Sequence, residues 1–282
     1  MGCDMFNETL TAPQLTDPAF LKALTLYHRW VDELHLIPTA AEIASESSAQ
    51  SSVNSDATPH LVSGRYAMIA TGRYVNMDLR RFKTEPVNLS FSQYPEYEFK
   101  NLVFISRNTA IFKGSKHKDF AKIFLLFLAS REYNELLIRS SDGLPPNPRW
   151  AENNPEYHHP AGHENEGNLH TNELKWARTI ALPESLSPYY PLAEDKIRYA
   201  YERVSGGLSP ADEALKLAND SIAYSIRKTV SSIPSLQERY RHDCELQQKI
   251  EQYKAEGKKI PATWIKNPFY QRYYREKNLL QE

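Results

Sequence analysis

The chain has few cysteines, almost no net charge and no long apolar run, and each of these absences excludes a class of protein. Its 282 residues include only two cysteines, Cys3 and Cys244, near opposite ends, which favours neither a disulfide framework nor a metal knuckle. The 34 basic and 35 acidic side chains leave a net charge of −1, so no overall field attracts nucleic acid or an anionic membrane. The most apolar stretch, residues 123–128, is too short to span a bilayer.

Common catalytic motifs are also absent from the sequence. It contains no Gly-x-Ser-x-Gly elbow, no phosphate-binding loop with its lysine, no Cys-x-x-Cys pair and no Gly-x-Gly-x-x-Gly after a predicted strand. Residues 1–10 lack the basic start and apolar run of an export signal, and Cys3 lacks the apolar segment that precedes a lipoprotein anchor. Because 41% of the residues are apolar, the chain can bury a core. We predict a globular protein that is not an enzyme and has no cofactor or metal.

Several segments combine helical periodicity with start or stop signals. Three of them pair apolar residues at helical spacing with a residue that caps or begins a helix, and the fourth is bounded by a proline and a glycine. A glycine at residue 257 is typical of a left-handed helix end. The predicted helices begin at Asp17-Pro18 and end before Pro38, begin at Ser115 and cover residues 120–128, begin at Ser209-Pro210, and extend from Pro234 to Gly257.

A short apolar run between two glycines predicts a buried strand over residues 66–71. Gly72 then allows a tight turn, which directs Arg73 and Tyr74 away from the strand end, where open α/β sheets hold ligands. Further strands are predicted over residues 87–91 and 102–106. Residues 45–60 are rich in small polar side chains and are predicted to form a surface loop.

Three sequence segments together resemble a known family. Residues 64–74 read GRYAMIATGRY, residues 113–128 read KGSKHKDFAKIFLLFL, and residues 209–217 read SPADEALKL. With the helix that ends before Pro38, they resemble in order and spacing the later part of extracellular solute-binding protein family 1. Members of this family are the carbohydrate-binding subunits of ABC importers, and the resemblance covers roughly residues 18–222.

The resemblance implies an α/β, periplasmic-binding-protein-like (type II) fold of which one lobe is incomplete. A full N-terminal lobe precedes the equivalent of Asp17 in the family, whereas only sixteen residues precede it here. We therefore expect a C-terminal lobe with a fragment of the N-terminal lobe and a helical, aromatic-rich C-terminal extension. The expected parts are the first part of the C-terminal lobe over residues 1–109, the N-terminal-lobe fragment over 110–147, the second part of the C-terminal lobe over 148–232, and the extension over 233–282.

This division has a physical consequence for the apolar stripe over residues 120–128. The stripe would have lost the sheet that it covers in the family, which leaves an apolar patch that water should not contact. We expect the helix that carries it to be exposed, docked on the aromatic tail beyond residue 260, or paired with another chain.

Candidate ligand-binding residues follow from the needs of sugar recognition, which are flat aromatic faces and several hydrogen-bonding side chains. The resemblance places Tyr74 at the family's cleft aromatic, and Arg73 beside it carries donors for hydroxyl groups. Tyr74 can equally cap a strand within the core. Each of the other candidates can likewise serve in packing or capping instead of contacting a ligand. The remaining candidates are Arg107 and Asn108 at a strand end, Tyr189 and Tyr190 within the rigid SPYYP segment of residues 187–191, and Trp150 after a proline run.

The implied function is binding of a sugar or oligosaccharide for an ABC importer, in the periplasm or outside the cell. Its partners would be the carbohydrate ligand and the permease subunits, without nucleic acid and without direct membrane insertion. With one lobe incomplete, binding would be weak or lost, because contact from one side forfeits much of the interaction.

Two alternatives come from the residues themselves. The loop from His158 to His170 is rich in histidine and glutamate, which suits a metal-dependent hydrolase or lyase. However, Pro160 and Gly162 prevent His159 and His163 from sharing a helical face, so a polar surface loop is the simpler interpretation. The second alternative is a protein interaction module that uses the apolar helix and the aromatic tail.

Overall fold

The computed structural model describes residues 2–39, 41–43, 57–82, 87–92, 97, 99–106, 108–190 and 192–281. The fold is mixed α/β and mostly helical, with a few short strands. None of its described helices is both long enough and apolar enough to cross a membrane.

The chain forms two compact units, each made of discontinuous segments. Unit 1 contains Met1–Glu42, Glu96–Val103 and Leu182–Glu282, and unit 2 contains Ile43–Pro95 and Phe104–Ala181. The division into lobe segments that the family resemblance implies stays a prediction. That division is defined by matching the segments to those of family members, whereas the two units are defined by how compactly the chain packs.

Unit 1 is built from helices around two apolar clusters. Its helices are α1 (Pro18–His28, continued by a π-helical turn over Arg29–Glu33), α9 (Glu194–Ser205), α10 (Ala211–Ser232), α11 (Pro234–Ala255) and α12 (Pro268–Glu276). In the first cluster, α1, α9 and α10 pack around Leu24, Ala200 and Ile222, and the N-terminal segment contributes Phe6 and Leu15.

The second cluster of unit 1 is built mainly from the C-terminal part of the chain. Strands β3 (Ile260–Pro261) and β4 (Leu280–Gln281) pair in parallel, with Ile260 opposite Leu280. Ile250, Phe269 and Tyr274 are buried beside them. The aromatic tail predicted from the sequence is therefore largely the core of this cluster.

Unit 2 contains mostly short helices. They are α2 (Ala57–Val62), α3 (Val75–Leu79), α4 (Lys118–Leu128), α5 (Arg131–Ser140), α6 (Arg149–Glu152), α7 (Pro155–His158) and α8 (Leu169–Thr179), with a 3-10 turn over Glu164–Glu166. Its buried centre is formed by Ile138, Ala151, Tyr157 and Leu174. Strands β1 (Leu102–Phe104) and β2 (Ala181–Pro183) pair with each other, and two of the three residues of each strand belong to unit 1.

Most predicted helices are confirmed. Asp17 caps α1 by accepting a hydrogen bond from the amide of Ala19 at 2.8 Å, and Pro18 is the first helical residue. Helices α10 and α11 lie where they were predicted, and Gly257 after α11 adopts a left-handed φ of 65°. The cap predicted at Ser115 is wrong, because α4 begins only at Lys118 and its preceding residue makes no side-chain cap.

The predicted buried strand over residues 66–71 is wrong. This segment has no strand pairing, and Met68 is 83% exposed. An apolar run becomes a buried strand only when a sheet is available to pair with it, and the described part of the chain forms only two-stranded pairs elsewhere. Residues 87–91 form no strand either, whereas the strand predicted over residues 102–106 is observed as β1.

Two other predictions on unit 2 have different outcomes. The apolar stripe of α4 is exposed, which is one of the three arrangements expected for it. The loop predicted over residues 45–60 lies outside the described residues up to residue 56, and its last residues belong to α2 instead.

Candidate functional site

The best-organised polar site of unit 2 begins at the turn that carries Arg73 and Tyr74. A Cβ at Gly72 would lie 2.9 Å from the ring of Tyr74, so a larger residue there would require that ring to shift. The amide of Val75 donates to the carbonyl of Gly72, which closes the turn before α3 begins. Tyr74 is left 45% exposed, so part of its ring is open to solvent.

Unlike Tyr74, Arg73 points into the interior of unit 2. Its side chain is almost fully buried, and its guanidinium forms an ion pair with Glu173 of α8. A second guanidinium nitrogen donates to Nδ1 of His170 at 2.9 Å. The guanidinium also lies over the ring of Tyr157, 4.9 Å from its centroid, which is a cation–π geometry. Arg73 therefore ties the turn before α3 to both α7 and α8.

His170 extends the network to a second arginine. Because a guanidinium can only donate, Nδ1 of His170 accepts, and its Nε2 donates to Glu166 at 2.5 Å. Glu166 in turn receives two hydrogen bonds from Arg80, at 2.6 and 2.8 Å. This fork-to-fork pair is the strongest geometry available to an arginine and a carboxylate. Arg80 also donates to the backbone carbonyl of Arg139 at 2.6 Å, which connects the network to the end of α5.

The electrostatics of the network follow from this arrangement. Burial raises the pKa of Glu166, but the hydrogen bonds from Arg80 and His170 and the charge of Arg80 outweigh it and lower that pKa to about 2. Two guanidiniums thus face two carboxylates, those of Glu166 and Glu173, so the charges of these four groups balance. Burial raises the pKa of Tyr157, so its phenol stays protonated at neutral pH.

Not every polar atom in this interior has a partner. Nε of Arg73 and the hydroxyl of Tyr157 are buried without a hydrogen bond, as are the amide oxygens of Asn76 and Asn134. Asn76 donates from its other amide atom to the Ser141 hydroxyl at 3.3 Å. Such groups have unused hydrogen-bonding capacity, which is unusual because buried polar atoms are nearly always paired.

The other predicted ligand residues of unit 2 lie in different settings. Asn108 is exposed, and Arg107 lies outside the described residues. Trp150 packs against the cluster that contains Tyr157, and the guanidinium of Arg131 lies 5.8 Å from its ring centroid. Arg73 and Trp150 therefore contact the same apolar cluster, whereas the structure gives Asn108 no such connection. A ligand role for each of these residues stays a prediction.

Tyr189 and Tyr190 belong to unit 1 and pack into its first cluster. Tyr189 is fully buried, and its hydroxyl donates to Asp243 at 2.7 Å. Its ring meets that of Tyr240 edge to face, with centroids 4.9 Å apart. Tyr190 is partly buried against the same cluster. In this conformation Tyr189 has no open face for stacking, and Tyr190 has only part of one.

The histidine-rich segment forms no metal centre among the residues that the structure describes. Both ring nitrogens of His158 are engaged, with the Thr171 hydroxyl and the Glu152 carbonyl, each at 3.0 Å. His170 is held between Arg73 and Glu166. These side chains serve the polar network and the surrounding turns instead of converging on one point.

Unit 1 has a cleft of about 200 Å³ that combines aromatic walls with carboxylates. Phe6 and Phe269 line it, together with Asp4, Glu184 and Glu194. Burial raises the pKa of Glu184, and the neighbouring carboxylate of Glu194 raises it further. Burial also raises the pKa of Asp4, against the effect of the hydrogen bond from Asn267.

Sequence reasoning identified Arg73 and placed Glu166 and His170 in the alternative metal site, but it missed Arg80 and Glu173. A signal for them exists, because Glu166, His170 and Glu173 follow one another at helical spacing and Arg73 and Arg80 are two turns apart. The sequence alone does not reveal these pairs, because each arginine lies more than eighty residues from its carboxylate partner and meets it only in the fold.

Comparison with known proteins finds no protein-family model that matches this chain and no curated protein similar to it.

Proposed function

We propose that this chain is a solute-binding protein that captures a sugar or oligosaccharide, as the substrate-binding subunit of an ABC importer does. The observation that carries the proposal is the position of the Tyr74 ring. The ring is about half exposed to solvent, and it lies on a turn whose other residue, Arg73, is anchored in the interior of unit 2. A sugar-stacking aromatic needs such a combination of an open face and a fixed backbone.

The anchoring of this turn supports the proposal further. The Arg73 guanidinium is held by Glu173, His170 and the ring of Tyr157. Because that side chain is buried, we infer that Arg73 fixes the position of Tyr74 instead of donating to the ligand itself. Hydrogen bonds to sugar hydroxyls would then come from exposed groups such as Asn108.

The finer fold assignment belongs to the same proposal. We infer a periplasmic-binding-protein-like (type II) arrangement in which the chain supplies the C-terminal lobe and part of the N-terminal lobe. Export to the periplasm or beyond the cell, and delivery of ligand to permease subunits, follow from it. The support is the order of the sequence segments that resemble the family, including the confirmed helices α1, α4 and α10.

The test is a calorimetric titration of the full chain with a panel of neutral disaccharides and trisaccharides. We expect binding heat with one or more members of the panel, and a loss of at least tenfold in affinity for Tyr74→Ala, because the stacking face is removed. The matched control is Tyr224→Ala on α10, a tyrosine that is also exposed and lies in unit 1.

Two results would contradict the proposal. One is the absence of binding to every sugar of the panel, and the other is equal affinity for Tyr74→Ala and the unmodified chain. Loss of binding in Tyr224→Ala alone would move the site to unit 1.

An interaction module is a second candidate function, and the exposed apolar helix α4 favours it. Five of its large apolar side chains are more than 40% exposed, and none of its residues is buried. A contiguous apolar surface of this kind is typical of a docking face.

A further inference from the structure

His170 lies between a group that can only donate hydrogen bonds and a group that accepts them. The Arg73 guanidinium donates to its Nδ1 at 2.9 Å, and its Nε2 donates to the Glu166 carboxylate at 2.5 Å. The His170 side chain is 1% exposed, so bulk solvent does not reach the ring. Both contacts together require an imidazole that carries a proton on Nε2 and none on Nδ1.

The charged and titratable groups around His170 come from each element that packs against it. They are Arg73 before α3, Arg80 after it, Tyr157 on α7, His163 and Glu166 at the 3-10 turn, and Glu173 on α8. An imidazole changes its charge between about pH 5 and 8, whereas guanidiniums and carboxylates ordinarily do not.

Most of these neighbours therefore keep their charge when the solution is acidified to about pH 5.5. Glu166 stays ionised because its pKa is about 2, and burial raises the pKa of Tyr157, which keeps its phenol protonated. His163 is the other imidazole of the group, and its Nδ1 lies 3.9 Å from Oε1 of Glu166. The tests must distinguish it from His170.

Protonation of His170 at Nδ1 has opposite effects on its two contacts. The added proton turns an acceptor into a donor, which then faces the donors and the like charge of the Arg73 guanidinium. The hydrogen bond from Nε2 to Glu166 becomes charge-assisted and therefore stronger. A protonated ring is thus held by Glu166 and repelled by Arg73.

We propose that His170 is a pH-sensitive latch for the turn that carries Arg73 and Tyr74. Near neutral pH its Nδ1 holds the Arg73 guanidinium, and on acidification that contact is lost. Arg73 keeps its ion pair with Glu173 and its place over the Tyr157 ring, so the turn loosens while unit 2 stays folded. The latch acts on the turn itself, whether or not Tyr74 binds a sugar.

The turn depends on Arg73 because the chain before it has little anchoring of its own. None of residues 63–72 is buried, and Arg73 is followed directly by the 45%-exposed Tyr74. Three backbone hydrogen bonds close the turn and the start of α3. The amides of Val75, Asn76 and Met77 donate to the carbonyls of residues 72, 73 and 74, at 3.2, 3.0 and 3.1 Å.

Hydrogen exchange of the full chain, followed by mass spectrometry and corrected for the intrinsic effect of pH on amide exchange, tests the latch. Between about pH 7.5 and pH 5.5 we expect the protection of the amides of residues 75–77 to fall roughly fivefold, the worth of one lost hydrogen bond. Helix α10 of unit 1 contains no histidine and is expected to keep its protection.

His170→Gln separates the latch from other effects of pH. The glutamine amide offers one acceptor and one donor group, as the unprotonated imidazole does, but it does not titrate. We expect equal protection of the turn at both pH values in this variant. His158→Gln and His163→Gln are the matched controls from the same segment, and each is expected to keep the fall seen in the unmodified chain.

A second measurement needs no variant. Long-range correlation of imidazole protons and nitrogens by NMR reports which ring nitrogens carry a proton. For His170 we expect a proton on Nε2 alone near pH 7.5 and protons on both nitrogens after acidification.

Four results would overturn the proposal. The first two are equal protection of the turn at both pH values in the unmodified chain, and a fall that persists in His170→Gln. The third is a His170 ring that carries a proton on Nδ1 near neutral pH. The fourth is a response that only His163→Gln abolishes, which would assign the pH dependence to His163.

Discussion

At the scale of single residues, Glu166 is the centre of the buried polar network. It accepts two hydrogen bonds from Arg80 and one from His170, and it is 2% exposed. Glu166→Gln keeps the shape but leaves Arg80 buried beside a neutral group. We expect the free energy of unfolding to fall by about 3 kcal/mol or more, because breaking a buried ion pair leaves an uncompensated charge. Urea unfolding followed by circular dichroism measures this.

The control for this substitution lies two residues away. Glu164 is exposed and receives a hydrogen bond from the amide of Gly162 at 3.1 Å. We expect Glu164→Gln to change the free energy of unfolding by less than about 0.5 kcal/mol. Equal effects of the two substitutions would show that the network does not stabilise unit 2.

The same carboxylate predicts a pH dependence. Its pKa falls from 4.5 to about 2 on folding, so between these values the unfolded chain binds a proton that the folded chain does not. The contribution, about 3 kcal/mol, is fully present above pH 4.5 and is lost as the pH falls toward 2. We expect the stability difference between the unmodified chain and Glu166→Gln to shrink over this window, measured by urea unfolding at successive pH values. A constant difference would mean that Glu166 is not the titrating group.

Sequence reasoning located part of this site, but for a different reason from the one that the structure gives. Arg73 and Tyr74 were selected as a pair that leaves a strand end, whereas the structure separates them, with Arg73 buried and Tyr74 half exposed. Local sequence sets the turn at Gly72. It does not set which side chain faces the interior, because Glu166 and Glu173 come from a distant part of the chain.

At the scale of elements, helices were predictable and strands largely were not. Helices α1 and α10 have their apolar periodicity and their start signals within one segment, and α11 has a proline at its start and a glycine after its end, so the sequence contains the signal for each. Residues 66–71 have the composition of a buried strand, but a strand needs partners, and the described chain offers them none. The stripe of α4 was likewise visible as a pattern, while its exposure depends on what packs against it.

The end of α11 gives a prediction at this scale. Gly257 has a left-handed φ of 65°, and a Cβ there would meet no neighbouring atom. Any cost of Gly257→Ala must therefore come from the backbone, and we expect a loss of about 1 kcal/mol in the free energy of unfolding. Gly143→Ala is the matched control, because Gly143 also has open space but no left-handed φ. We expect that control to be neutral or slightly stabilising in thermal unfolding, and a similar loss in both variants would argue against a backbone origin.

At the scale of the whole molecule, the N-terminal and C-terminal segments of the chain contact each other within unit 1. Asn267 is fully buried, and its amide donates to Asp4 and to the carbonyls of Phe6 and Asn7, at 2.7, 3.0 and 3.3 Å. Its oxygen accepts from the Ser185 hydroxyl and from the amide of Phe269, each at 2.9 Å. One side chain thus joins the N-terminal segment, Ser185 and α12. Composition could indicate an aromatic tail, but only the fold places it against residues 4–8.

Replacing this side chain should loosen unit 1 as a whole. Asn267→Ala leaves several buried polar groups unpaired, so we expect a loss of about 3 kcal/mol. In hydrogen exchange followed by mass spectrometry, we expect faster exchange in residues 4–15 and in α12, with unchanged protection in α5 and α8 of unit 2. Asn101→Ala, an exposed asparagine of unit 1, is the control and is expected to exchange like the unmodified chain. Equal loss of protection in α5 and α8 would mean that the two units open together, and that the contacts of Asn267 stabilise the whole chain instead of unit 1 alone.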